Sequence, residues 1–444
     1  MKPDTRRAAS ISPAVSTDFG RALLRETPKQ AGILFSAQML SLVIGVLANL
    51  ILGNAMIQTE LGRFVFCQSV VLMAGLFFEV GIFSAGARVL ALVKEPEEQK
   101  RAVGALVAAA IVIGILFAVF IAAASYPLDL IFHRNDRALL MGAAALAFFQ
   151  PFQLMIEQSC TGLNQIQRLS AFQLLAAAAN LLILAVLALT DRLTASAALL
   201  SYLGGLGIAS LWILSRLRPR FRGLGPFVRL TMAETKSYGF NIYLARLTGA
   251  ASSRLDNLII GYFLGRASLS DALLALYSIP QRLAAPIATL SRAVGVTRFR
   301  AFAGLPRIPA RILKWNAGLL LIGSIGMASA GPVVLYYLFP KYREAAPLLI
   351  PFSVLNFFAG LFQPYNSFLA SHGQGAALRN VAVAVTITSV VGLAIRVPRF
   401  GITGAAWTGA VAMALDYLLH LHYYRKFEKK AELDLHRAEH AIDG

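Results

Sequence analysis

The apolar positions of this chain run in long blocks, not in the alternating or one-sided patterns of water-soluble strands and helices. The blocks fall near residues 31–53, 64–92, 102–124, 138–162, 170–190, 194–215, 237–263, 271–297, 312–337, 345–370, 377–396 and 401–424, with short polar segments between them. Each is near or above the roughly 20 residues that carry an α-helix across a bilayer core. In hydrocarbon only a helix or a closed barrel keeps its backbone hydrogen-bonded. The pattern therefore predicts an all-α, polytopic membrane protein of about twelve transmembrane helices, with both chain ends on one side.

Composition agrees. Hydrophobic residues make up 57% of the chain and charged residues 14%, with a mean hydropathy of +0.65, whereas soluble domains are about one quarter charged. Residues 1–30 are polar and basic and lack the apolar core of a signal peptide, so they read as a cytoplasmic tail. Cys67 and Cys160 lie inside apolar blocks and read as small packing residues.

The charge of +19 changes the picture only once it is mapped onto the spans. With the N-terminal tail inside, 27 Lys and Arg residues fall on the side of the tails, 9 on the opposite side, and 5 within spans. Cytoplasmic loops are enriched in Lys and Arg, which puts both termini in the cytoplasm. Most of the net charge is thus topology together with attraction to anionic headgroups. Nucleic acid is excluded as a partner, because these residues sit on short loops between spans.

The chain also echoes itself. Asn-Leu-Ile-Leu-Gly at 49–53 closes the first span and Asn-Leu-Ile-Ile-Gly at 257–261 closes the seventh; each is followed by Leu-Gly-Arg, at 61–63 and 264–266. Phe-Gln-Pro-Phe at 149–152 lies in the fourth span and Phe-Gln-Pro-Tyr at 362–365 in the tenth. The offsets of 208 and 213 residues both correspond to six spans. The expected organisation is an N-terminal tail at 1–30, a six-helix lobe at 31–215, a basic linker at 216–236, a second six-helix lobe at 237–424 and a C-terminal tail at 425–444. Two lobes of the same topological sense belong to alternating-access carriers, with the substrate between them.

Charges inside spans cost about 3 kcal/mol each on insertion scales and usually face a bundle interior or a wet cavity. Five are basic: Arg88, Arg246, Arg254, Arg282 and Arg292. On the seventh span Arg246, Arg254, Asp256 and Asn257 share an arc of roughly 160°. On the eighth, Ser278, Gln281, Arg282, Thr289 and Arg292 fall within about 100°, and Pro280 and Pro286 interrupt the hydrogen-bond ladder. These arginines, with Asn257 and Gln281, are candidates for a cationic substrate cavity; the competing reading makes them structural ion pairs, with Arg88 and Arg292 snorkelling at the cytoplasmic face. The acidic residues Glu79, Asp256, Glu157 and Asp416 are candidates for ion coupling or, alternatively, counter-charges. His436 and His440 have an i, i+4 spacing but no further ligand pattern, so no metal site is expected. Gly-Gly-Leu-Gly at 204–207 reads as helix packing.

With these segments in view, the chain resembles the polysaccharide-flippase branch (O-antigen or exopolysaccharide, Wzx-type) of the multidrug, oligosaccharidyl-lipid and polysaccharide (MOP) exporter superfamily. The resemblance rests on FFEVGIFSAGARVLA at 77–91, SRLDNLIIGYFLG at 253–265, LFPKYREAAPLL at 338–349 and RFGITGAAW at 399–407. It implies a MATE/MOP-like fold and a flippase, not an enzyme, that moves undecaprenyl-diphosphate-linked oligosaccharide from the cytoplasmic to the periplasmic leaflet of a bacterial inner membrane, for lipopolysaccharide or exopolysaccharide biosynthesis. It implies membrane lipids, a polysaccharide polymerase and chain-length machinery as partners, and no cofactor beyond a coupling H⁺ or Na⁺. The first span departs from ion-coupled relatives in offering only Gln38, Ser41 and Asn49 as polar groups.

Three rivals remain. A MATE-type multidrug antiporter would carry organic cations, which five basic against four acidic intramembrane residues disfavour. The lipid II flippase branch usually has two further spans. A membrane polysaccharide polymerase or ligase needs a large outer loop with catalytic groups; the longest here, at 125–137, is short, and no nucleophile–base arrangement emerges.

Overall fold

Lipid leaves an apolar segment no backbone partner but itself, and the expected blocks accordingly lie on helices wherever they are described. The computed structural model describes residues 36–37, 39–240, 243, 255–264, 269–303, 305 and 307–442, with the side chains of 237–238, 269–270, 290, 292–303 and 430–442 outside that description. Among the described residues there is no strand. The first span is Met39–Ala55. The second is Gln58–Phe78 continued by Ile82–Leu92, and the third is Pro96–Phe132. The fourth comprises Arg137–Ala147 and Gln150–Gly162; the fifth and sixth are Ile166–Leu189 and Ala195–Leu217. The linker carries a short helix, Gly225–Glu234, and one π-helical turn, Thr235–Gly239.

In the second half, the seventh span is described over Leu255–Leu264, the eighth is Leu269–Ala303 and the ninth Ala310–Leu338. The tenth follows a 3-10 segment, Pro340–Leu348, and comprises Leu349–Leu361 and Gln363–Ser371. The eleventh and twelfth run through Gly375–Ile442 and are divided at Gly401, whose φ of 56° and ψ of −140° are non-helical.

The repeated words mark structural breaks. In the fourth and tenth spans the helix restarts at Gln150 and Gln363, each followed at once by a proline, Pro151 and Pro364. Proline has no N–H to continue a preceding helix and is tolerated in a first turn. The second span breaks at Glu79–Gly81, where Val80 has φ 45° and Gly81 φ 78°. A β-branched residue at positive φ is a strained arrangement. Glycine is required at 81 because its α-carbon lies against the carbonyl of Gly239, leaving no space for a side chain. By contrast, the eighth helix continues through Pro280 and Pro286.

The third helix is longer than its apolar block. At 1.5 Å per residue, Pro96–Phe132 is about 55 Å long, against about 30 Å of hydrocarbon. Its first turns therefore extend past the hydrocarbon on the face where the twelfth span ends, here the termini face. Its middle turns expose Ile111, Val112, Ile115, Leu116 and Val119, a lipid-facing stripe. Where spans meet, small residues permit contact: a Cβ on Gly205 would meet the Asn180 backbone nitrogen at 2.8 Å and one on Gly207 the Phe149 ring at 3.0 Å. The Gly-Gly-Leu-Gly word is thus a packing surface for the fifth and fourth spans.

Candidate functional site between the two halves

The second and eighth spans pack against each other across the halves, and the polar residues of both repeats meet along that contact. Arg282 on the eighth span donates from Nη1 to Asn49 Oδ1 on the first span at 2.8 Å and from Nη2 to Gln68 Oε1 on the second at 3.1 Å. Asn257 on the seventh span donates to Ser69 Oγ on the second at 3.0 Å. Asn49 and Asn257 open the two copies of the repeated word. Each therefore reaches the second span of the opposite half. The glycines that close the words complete the relation: a Cβ on Gly53 would meet the Phe339 ring at 2.7 Å, and one on Gly261 the Phe66 ring at 2.7 Å.

This seam holds charge in an apolar setting. Asn49 and Gln68 supply amide oxygens to the Arg282 guanidinium, and the Phe64 ring lies 5.7 Å from it. Asp256 accepts from Tyr277 Oη and Gln281 Nε2, both at 2.9 Å, which ties the seventh span to the eighth. Buried Asn257 Oδ1 has no hydrogen-bond partner among the described residues, an acceptor a polar ligand or water would satisfy.

At the end of the seam away from the termini face, the halves are joined by ions. Buried Arg134 lies 4.1 Å over the Phe66 ring, donates from Nε to Asp136 Oδ2 at 3.2 Å, and from Nη2 to Asp271 on the eighth span. Asp136 Oδ1 accepts from Arg63 Nε at 2.8 Å; Arg63 also bonds Glu60 at 3.0 Å, and Glu60 caps the sixth span by accepting from the Ala195 N–H at 2.7 Å. Beside this network Lys341 Nζ donates to the carbonyls of Asn54 and Met56 at 2.6 and 3.0 Å, and Asn54 Nδ2 to that of Leu338 at 2.8 Å. The far face is thus shut by contacts between first-half and second-half residues. On the termini face the second span meets the connecting segment, where Arg88 pairs with Glu234 at 3.3 Å; nearer the break of that span, the Phe77 carbonyl accepts from Tyr243 Oη of the seventh block at 3.4 Å.

Of the sequence-selected residues, Arg282, Asn257, Gln281 and Asp256 come together in the seam. Arg88 does not; it is half-exposed beside the linker. Arg246 and Arg254 lie outside the described residues, as does the side chain of Arg292. Glu79 is buried at the break of the second span and accepts from Ser84 Oγ at 3.3 Å. Glu157 accepts from Gln153 within the fourth span at 3.2 Å. Asp416 lies inside the second half, 2.9 Å from His420 Nδ1, with Phe362 stacked on the imidazole. Sequence reasoning missed the far-face network, treating Arg63, Arg134 and Lys341 only as outer-loop charge. The available signal was the cluster His-Arg-Asn-Asp-Arg at 133–137, which sets an acid among basic residues in a chain with few acids.

Comparison with known proteins is consistent with this geometry. Residues 28–292 match the family model described as polysaccharide biosynthesis protein. No curated protein matches the chain. Among solved structures, the lipid II flippase MurJ in an inward closed conformation aligns with a TM-score of 0.64 at 13% identity, covering 90% of each chain. A multidrug resistance MATE family transporter of the MOP superfamily, in an inward-facing conformation, aligns with a TM-score of 0.65 at 16% identity, over 90% of this chain and 99% of that one. A MOP superfamily transporter from Pyrococcus furiosus, described as having a binding pocket of reverse polarity, gives 0.58 at 16%, over 91% and 96%. The fold is therefore that of MOP-type transporters.

Proposed function

The chain belongs to the polysaccharide biosynthesis protein family, and from that premise we propose that it is a flippase for undecaprenyl-diphosphate-linked oligosaccharide. It carries this lipid from the cytoplasmic to the periplasmic leaflet of a bacterial inner membrane, with both termini cytoplasmic, for surface polysaccharide synthesis. Residues 31–215 and 237–424 act as two lobes joined by the linker 216–236. The lobes rock about the seam, which opens alternately to each leaflet. The observation that carries the reading is Arg282, a mid-span guanidinium whose bonds to Asn49 and Gln68 cross between the lobes.

A lobe movement that separates those partners frees two donors in a planar fork, the geometry that matches phosphate oxygens. A diphosphate would replace the amide oxygens and offset the desolvation of its own charge. Arg246 and Arg254 on the seventh span would add to the same cationic surface. The far-face network keeps the site from opening to both sides at once. Substrate drives the change only in so far as it binds one lobe arrangement better than the other. Glu79, at the strained break of the second span, and Asp256, in the seam, would be the acids that couple H⁺ or Na⁺. The product would pass to a polysaccharide polymerase and chain-length machinery.

The test is complementation of a deletion strain with wild type, Arg282→Lys or Arg282→Ala, with membrane levels of each variant checked. A charged hydrogen-bond pair contributes about 1.5–3 kcal/mol, so polysaccharide export in Arg282→Ala falls roughly 10- to 100-fold and lipid-linked oligosaccharide accumulates on the inner leaflet. Normal export by a normally inserted Arg282→Ala would remove the basis of the proposal.

A further inference from the structure

A second cationic site lies on the termini face of the first half, well away from the seam. Here the protruding first turns of the third span, the loop between the fourth and fifth, and the end of the sixth enclose a cavity of about 620 Å³. Lys100, Arg168, Arg216 and Arg218 line it, with Gln165 and Trp212, and no carboxylate is among its lining residues. That volume lies within the range of small-molecule sites.

Local structure holds these cations in place. The sixth span ends at Arg218 in a left-handed conformation, φ 50°, whose N–H closes on the Leu214 carbonyl at 3.1 Å. The chain then turns back onto the third span: the Arg220 N–H donates to the Lys100 carbonyl at 3.0 Å, and Gly104 leaves room for the Arg220 carbonyl. Glu97, beside the lining residue Pro96, is engaged by Lys100 at 2.8 Å and by Arg220 at 2.6 Å. Arg168 is oriented by Gln165 Oε1 at 2.8 Å.

Depth identifies the ligand class. Trp212 is 36% exposed, directly after the exposed Leu211 and one turn after the exposed Ile208, while Arg216 lies 5.5 Å from its ring. Exposed tryptophan at the end of a span marks headgroup level. We propose that this cleft binds a phosphate-bearing anion, and that its source is the headgroup of an anionic phospholipid of the leaflet on the termini face. A bidentate arginine fork and a lysine match a phosphodiester there, and the first turn of the third helix adds the positive end of its dipole. The site is independent of the transported cargo, and its bound lipid would brace the fold of the sixth span into the linker.

The full chain is reconstituted with Trp315→Phe and Trp407→Phe, so that Trp212 is the remaining tryptophan, in vesicles whose brominated lipid is either phosphatidylglycerol or phosphatidylcholine. Trp212 should be quenched preferentially by the brominated phosphatidylglycerol. Each arginine at a membrane surface is worth about fivefold, so Arg168→Gln with Arg216→Gln and Arg218→Gln should lower that preference at least tenfold. Replacement of the same three by Lys should retain most of it, and the far-face control Arg192→Gln with Arg343→Gln all of it. Equal quenching by both lipids, or a preference unchanged by the three glutamines, would overturn the proposal. If millimolar inorganic diphosphate abolishes the wild-type preference, the lipid source is overturned in favour of a soluble phosphate; if it does not, the headgroup is the ligand.

Discussion

Replacing Asp271 by Asn tests whether the far-face network sets which side of the molecule is closed. Arg134 is 2% exposed and Asp271 19% exposed, so the pair is largely withdrawn from water when the halves are together. It is wet on both sides when they part. Asparagine keeps the shape and one acceptor but removes the charge. A hydrogen bond between charged groups contributes about 1.5–3 kcal/mol and a neutral one about 0.5–1.5, so the substitution costs the closed arrangement about 1–2 kcal/mol. Arg134 retains Asp136, which keeps the loss well below the 3–5 kcal/mol of a stranded buried charge. The ratio of far-face-closed to far-face-open molecules should therefore fall roughly 5- to 30-fold. Spin labels at Arg137→Cys and Glu344→Cys, both exposed on that face in opposite halves, in a Cys67→Ala, Cys160→Ala background, read this as growth of a longer-distance population. A distance distribution identical to that of the unsubstituted protein would refute the assignment of Arg134–Asp271 as a closing contact.

Two further outcomes follow from the packing and the flank of the basic cleft. Gly53→Ala and Gly261→Ala each place a Cβ 2.7 Å from an aromatic ring, Phe339 and Phe66 respectively; overpacking of this kind costs about 1–3 kcal/mol, read as a lower melting temperature in detergent, whereas Gly45→Ala, with open space around it, should be neutral. The Glu97 carboxyl is held below its ordinary 4.5 by the hydrogen bond from Lys100, with Arg220 adding to the effect, so its contribution is fully present above that ordinary value and is lost as pH falls through the lowered one. Amide exchange of Arg220, corrected for intrinsic rate, should be flat from neutrality down to that value and accelerate below it; acceleration already near neutrality would contradict the pairing.

The far-face network and the seam were unequally legible. Asn49 and Asn257 could be found because they open a repeated word, and Arg282 because a charge in an apolar block is conspicuous. Nothing in the spacing of Arg134 and Asp271 marks them as partners, since 137 residues separate them. The breaks lie between these cases. The second block, 64–92, was longer than a bilayer requires and contained Glu-Val-Gly, and Pro151 and Pro364 were visible within the fourth and tenth blocks. But whether such a block bends, breaks or tilts depends on what packs against it.

The sequence by itself marked out the spans, because these rest on a local quantity, the length of an apolar run; the expectations of sidedness and of two paired halves rest on additive ones, the count of basic residues per loop and the recurrence of a word. Tertiary structure alone decided that Arg282 is held by Asn49 and Gln68, that Arg134 crosses to Asp271, and that Arg88 turns outward to Glu234. In a bilayer, helices are not sorted by hydrophobicity, since lipid is as apolar as they are. Which polar groups meet is then set by where small residues such as Gly53, Gly205 and Gly261 let two segments approach, a property of paired surfaces that no single segment contains.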